Sequence, residues 1–182
     1  RGRSQVMGLN LPGTTLADVS GRWGPDLKLA LMAGSDGRLA LEGYLERWEA
    51  GGVSGRLLLN FDLQAQDAEL QRWRDALPGV PMVSGGRQHA LTAVATAALA
   101  RAALVGVSFI PMAQLDAQVL TARFGPPAER IATGGRLEHW LYPAQGLAVV
   151  LDAEGREVLQ YVAPADFERL LVAPLRVDRK LP

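Results

Sequence analysis

Residues 27–63 read LKLALMAGSDGRLALEGYLERWEAGGVSGRLLLNFDL. Leu27, Leu29 and Leu31, then Leu39 and Leu41, then Val53, Leu57, Leu59, Phe61 and Leu63 carry the apolar positions, with Lys28, Arg38, Glu42, Arg56 and Asn60 interleaved. Successive side chains of a strand point to opposite faces, so a period of two belongs to a sheet with one buried and one solvated side. Gly34-Ser35-Asp36-Gly37 and Gly51-Gly52 interrupt the pattern where turns are needed. The stretch therefore predicts a three-stranded antiparallel meander.

Beyond it, Leu70, Trp73 and Leu77 stand at helical spacing among charges, and Pro78-Gly79 ends the short amphipathic helix expected over Asp67–Leu77. After the loop opened by Ser84-Gly85-Gly86, an Ala-rich helix is expected over His89–Leu104, then a strand over Val105–Ile110 closed by Pro111. Leu115, Val119, Leu120 and Phe124 mark one face of a further helix, which Gly125-Pro126-Pro127 must stop. A second meander follows, with strands over Arg136–Tyr142, Leu147–Leu151 and Val158–Val162. A last helix is expected over Ala165–Val172, and a loose tail from Pro174 to Pro182.

The fold class is thus α+β, two antiparallel meanders with packed helices. It divides into 1–110, an N-terminal meander plus helices, and 111–182, a helix plus a three-stranded meander. Val19-x-x-Arg22-Trp23-Gly24-Pro25 and Leu120-x-x-Arg123-Phe124-Gly125-Pro126 match in type, and Gly37-Arg38-Leu39 and Gly135-Arg136-Leu137 follow them. A duplicated helix-plus-meander module would explain the echo, and so would chance in a chain rich in Arg, Gly and Leu.

The 182 residues suffice for one large domain or two small ones, burying roughly 70% of the unfolded surface. At 48% hydrophobic and 21% charged the chain has enough apolar surface to offset the entropy of ordering. Net charge is zero, so no global field draws it to a polyanion, and nucleic acid is not expected as a partner. Only Lys28 and Lys180 are lysines among 19 basic residues, a skew that suits a GC-rich bacterial genome. Without cysteine there is no disulfide framework, thiolate metal site or thiol nucleophile, and periplasm and cytosol both suit such a chain. The basic start Arg1-Gly2-Arg3 suits the flank of a removed signal or anchor segment, which would bring the protein near a membrane. Ala90–Met112 is long enough to span a bilayer, but it is mostly Ala, Thr and Gly with Arg101 inside it, so a buried helix and strand are expected there instead.

The chemistry-bearing residues have ordinary explanations. His89 and His139 stand alone, the first at an expected loop-to-helix junction on the surface, the second in a strand, and no metal ligand set forms around either. Ser84 and Ser108 lack the Gly-x-Ser-x-Gly elbow of a hydrolase. Gly51-Gly52-Val53-Ser54-Gly55 lacks the Lys-Ser/Thr of a phosphate loop. Asp62, Asp67 and Glu69 read as solvated charge, the last two favoured by the dipole of a helix start. Neither catalysis nor a cofactor is expected. Trp140 and Tyr142, two apart, share one face of the second meander with Tyr161 nearby; the strip is either core or a partner surface.

Leu120-Thr121-Ala122-Arg123-Phe124-Gly125-Pro126-Pro127, Glu138-His139-Trp140-Leu141-Tyr142 and Leu147-Ala148-Val149-Val150-Leu151-Asp152-Ala153-Glu154-Gly155 together resemble the small outer-membrane lipoprotein domain of the SmpA/OmlA or BamE-like type. The resemblance lies in a helix with a Gly-x-Pro-like stop, a strand with a Trp-x-Tyr-like pair, a strand ending in an acidic-x-x-Gly turn, and a last strand. It covers under a third of the chain, no lipobox cysteine is present, and no site residue transfers. It implies a noncatalytic protein of the Gram-negative periplasm or envelope, membrane-associated and acting through assembly or stabilising surfaces on a protein partner. The alternative is a small ligand-binding or enzymatic domain with a pocket between the meanders, lined by His139, Trp140 and Tyr142.

Overall fold

A computed structural model describes residues 3–62, 67–133, 136–153 and 155–178. In chain order its elements are β1 (Ser4–Val6), β2 (Leu9–Leu11), α1 (Leu16–Trp23), β3 (Lys28–Ala33), β4 (Leu39–Ala50) and β5 (Val53–Asp62). Next come α2 (Asp67–Ala76), β6 (Gly79–Pro81), β7 (Arg87–Ala90), α3 (Ala93–Ala98), β8 (Ala103–Pro111) and α4 (Ala117–Phe124). The chain closes with β9 (Glu129–Thr133), β10 (Leu137–Tyr142), β11 (Leu147–Asp152), β12 (Val158–Val162) and α5 (Ala173–Asp178). The protein is α+β, with helices beside a large antiparallel sheet.

Contacts gather the chain into two compact units, and these do not follow the expected sequential split at 110/111. The first comprises Arg1–Leu11, Arg47–Leu57 and Gly106–Pro182, the second Pro12–Glu46 and Leu58–Val105. Strands β4, β5 and β8 therefore divide their residues between the two units.

In the second unit the strand order runs β6-β7-β3-β4-β5. Leu31 lies opposite both Leu41 and His89, so the alternating leucines of the opening stretch do form an antiparallel array; Leu63 lies outside the described residues. Helix α1 begins with a reciprocal capping box that the sequence reading passed over. The Thr15 side chain accepts from the Asp18 amide at 3.3 Å, and Asp18 accepts from the Thr15 amide at 2.8 Å. Its next free amides, Leu16 and Ala17, donate to the carbonyls of Ala102 and Ala100, each at 2.9 Å.

Those two bonds help explain why the Ala-rich helix expected over His89–Leu104 is short. The Ala100 carbonyl, which a helix reaching Leu104 would use internally, serves the start of α1 instead, and within this stretch Ala93–Ala98 is helical, capped by Thr92. His89 is drawn into β7, and the strand expected at Val105 starts already at Ala103. Among the described residues no helix is long and apolar enough to cross a membrane.

In the first unit the order β8-β12-β11-β10-β9 builds the second meander, with β8 and β9 flanking the three expected strands. The helix stop is as expected: α4 ends at Phe124, and Gly125 takes φ +80°, a conformation that glycine adopts without a Cβ penalty. One sheet face carries Ile131, Leu141, Ala148 and Val162, which form a buried cluster with Phe167 and Val172 of the C-terminal segment. Leu170, Leu171 and Leu175 pack on that cluster, so the expected simple helix over 165–172 becomes a 3₁₀ turn, a π-helical turn (Glu168–Val172) and α5. The tail expected to be loose from Pro174 is helical as far as Asp178, continuing without a break from the π-helical turn, whose Ala173 amide bonds to the Glu168 carbonyl.

The internal echo occupies equivalent structure in each unit. Thr15 and Asp116 are the N-caps, Val19 and Leu120 are both fully buried, and Gly24 and Gly125 are the positive-φ caps donating to Ser20 and Thr121. Each helix is then followed by strands that neighbour one another in sequence order.

Candidate functional site

The residues singled out in the sequence are not brought into one site. His89 and His139 belong to different units. The expectation that His89 is a surface residue is corrected: it is only 5% exposed, with Nδ1 2.9 Å from the Leu77 carbonyl oxygen, because β7 is paired on both sides. His139 is 7% exposed with Nε2 2.9 Å from the Thr133 hydroxyl, and burial holds its pKa below the ordinary 6.5. Glu69 accepts from the Trp73 indole at 2.7 Å and faces Arg72 at 3.7 Å, Asp67 opens α2, and Asp62 is exposed. Ser84 lies exposed in a turn, and Ser108 stands opposite Gln160 in the sheet. Among the described residues no group of His, Asp and Glu is placed to hold a metal ion.

The aromatic strip turns out to be largely core. Trp140 is 1% exposed and Tyr142 4%, so neither offers area to a partner, whereas Tyr161 is half-buried. Arg130 stacks on the Trp140 ring at 4.1 Å, Glu138 accepts its indole proton at 2.9 Å, and Phe124 of α4 meets Tyr142 at a ring separation of 6.0 Å. His139 points to the opposite face of β10 from Trp140 and Tyr142, as alternation requires, so these three cannot line one pocket.

What the first unit does contain is a cavity of about 380 Å³ on the face that carries α4. The register aligns Tyr161 with Val107 and Leu159 with Phe109, and Phe109, Leu159 and Tyr161 form its floor. Leu115, Val119 and Arg123 supply one wall, Trp48, Ala50 and Val53 another, and Gln5, Val6 and Met7 a third. The Trp48 ring meets Phe109 edge-on at 5.6 Å. Phe109 lies so close to Gly55 that a Cβ at that position would fall 2.3 Å from the ring, so only glycine lets β5 approach here.

Chemically the lining is apolar with a few polar ends. Gln5, Arg123 and the Tyr161 hydroxyl supply them, and no carboxylate, imidazole, serine or threonine is present in it. Burial pushes the Tyr161 phenol up from its ordinary 10.0, while the nearby Arg123 charge acts the other way. No carboxylate among the described residues pairs with Arg123, whose guanidinium lies over its neighbour Phe124 at 5.8 Å.

Tyr161 was foreseen; Met7, Trp48, Phe109 and Arg123 were not read as site residues. Arg123 stood in the echo and in the family-like string, yet its closeness to Tyr161 depends on packing. Met7-Gly8 was the one legible signal, an unusual turn pair between two short apolar runs. Comparison with protein-family models, with curated proteins and with solved structures finds no match for the chain.

Proposed function

We propose that this protein is a noncatalytic binding module of the bacterial cell envelope, and that it works through the apolar cavity of its first unit. The observation that carries the reading is the lining: aromatic and aliphatic groups surround about 380 Å³, the scale of small-ligand sites, with a few polar ends to orient a ligand. Such a lining supplies no paired acid and base and no activated nucleophile, which favours binding over turnover. The envelope assignment is supported by the resemblance at Leu120–Pro127, Glu138–Tyr142 and Leu147–Gly155, where a capped helix, β10 and β11 follow in the order the resemblance implies.

A neutral fluorescent probe, N-phenyl-1-naphthylamine, tests the site. It is expected to bind the parent and to be excluded by Val119→Trp, a change at a position 46% exposed that fills the cavity mouth. Equal binding by a folded Val119→Trp protein would remove the cavity from consideration.

A second reading, action on a protein partner, has its own observation. Strand β9 closes the sheet of the first unit and, among the described residues, pairs with β10 alone, leaving an edge to which an extended segment could add.

A further inference from the structure

An apolar cavity alone does not name its ligand; three features of this one do. The first is size. A methylene is about as large as a water molecule, whose share of liquid volume is roughly 30 Å³, so about 380 Å³ accommodates on the order of a dozen chain atoms. That is the scale of one alkyl chain of medium length. The second is the placement of polarity. Phe109 and Leu159 are buried in the floor at 3% and 4% exposure, while Arg123 is exposed on the wall formed by α4. An entering molecule would therefore meet apolar surface inside and a cation at the rim.

The third is the state of that cation. Arg123 has no carboxylate partner among the described residues, although the first unit pairs Arg136 with Asp152, Arg169 with Asp166 and Arg176 with Glu168. An arginine that neighbours an apolar cavity and the Tyr161 hydroxyl offers a planar fork and a nearby hydroxyl donor, a set complementary to a carboxylate. The opposite wall adds an independent sign of use. Met7 sits in the turn of the β1–β2 hairpin at φ +55°, which side chains other than glycine and asparagine rarely adopt, and its side chain lines the cavity.

We propose that the cavity binds a free, single-chain, medium-length aliphatic carboxylate, with its chain against Met7, Trp48, Phe109 and Leu159 and its carboxylate on Arg123 and the Tyr161 hydroxyl. The inference rests on the cavity being the binding site and adds the chemistry of the occupant. Attraction to a rim cation orients the ligand, and burial of the chain supplies most of the affinity.

The test is calorimetric titration of the full chain with decanoate, decanol and decyltrimethylammonium, repeated on Arg123→Gln and Val119→Trp, with circular dichroism to establish that each variant is folded. Decanoate is expected to bind about tenfold more tightly than decanol, a factor that a charge-assisted pair supplies. The cationic amphiphile should bind worst, and Arg123→Gln should erase the preference for the acid while leaving decanol unchanged. Equal affinity for acid and alcohol in the parent, both lost in Val119→Trp, would overturn the anionic ligand and leave the cavity as the binding site. A preference for decyltrimethylammonium would do the same. Failure of all three amphiphiles and of the neutral probe to bind the folded parent would overturn the cavity reading together with its ligand.

Discussion

The Tyr142 hydroxyl donates to the carbonyl oxygen of Gly125 over 3.1 Å, tying the residue that ends α4 to the end of β10. Phe124 packs at a tilt against the same tyrosine ring but is only half-buried, whereas Leu120, one turn earlier, is fully buried. Tyr142→Phe keeps the ring and loses the bond, an expected cost of about 0.5 to 1.5 kcal/mol. Leu120→Ala should cost about 2 to 5 kcal/mol, and Phe124→Ala about 1 to 3, less than a fully buried Phe. Urea denaturation measures all three. A Phe124→Ala protein within about 0.5 kcal/mol of the parent would show that this ring contact does not anchor the helix.

His139 gives the protein an acid-sensitive point. Burial lowers its pKa below the ordinary 6.5, so at higher pH the ring is neutral in folded and unfolded chains alike and contributes no pH dependence. As pH falls below 6.5 the unfolded chain takes up its proton first, and stability is lost down to the depressed folded pKa. His139→Gln, which does not titrate, should show a flatter fall of denaturation midpoint over that window. An unchanged acid slope would mean that the imidazole is protonated equally well in both states.

Glu42, in β4 of the second unit, has the opposite sign. Burial raises its carboxyl above the ordinary 4.5, so the unfolded chain ionises first as pH rises, and the folded state bears a penalty that is complete above the raised value. Glu42→Gln removes the charge and keeps the shape. The variant should match the parent in acid and be the more stable of the two at neutral pH, as thermal unfolding at several pH values would record.

Met7 opposes local stability to cavity lining. With Met7 at φ +55° and Gly8 at φ +76°, the hairpin turn wants an Asn-Gly pair. Met7→Asn should therefore stabilise the protein by about 1 kcal/mol while weakening the neutral probe severalfold, because a wall of the cavity becomes polar. Loss of stability in denaturant would show instead that the methionine contributes more by packing than its backbone conformation costs.

The meanders and the helix stop were legible because they rest on local signals. Alternation across Leu27–Leu59 and the Gly125-Pro126-Pro127 break act within a few residues of themselves, and the structure places strands and a helix end there. The reading failed where a distant partner overrides propensity. Alanine favours a helix over 89–104, but the carbonyls of Ala100 and Ala102 are taken by the amides that open α1, some 85 residues away in sequence. The C-terminal segment is expected to be loose because chain ends are poorly ordered unless tied down, and Leu175 packing beside Phe167 and Val172 is visible only once the sheet exists.

By itself, then, the sequence determined an α+β chain with two meanders and a helix that must end at Phe124, because periodicity and proline stops are properties of neighbouring residues. Only the tertiary structure decided that His89 is buried within β7, that the division into units cuts through β4, β5 and β8, and that Met7, Trp48, Phe109 and Arg123 surround one cavity. Those residues are scattered over 117 positions of the chain, from Met7 to Arg123, and their meeting depends on strand register and helix packing, which no local pattern encodes.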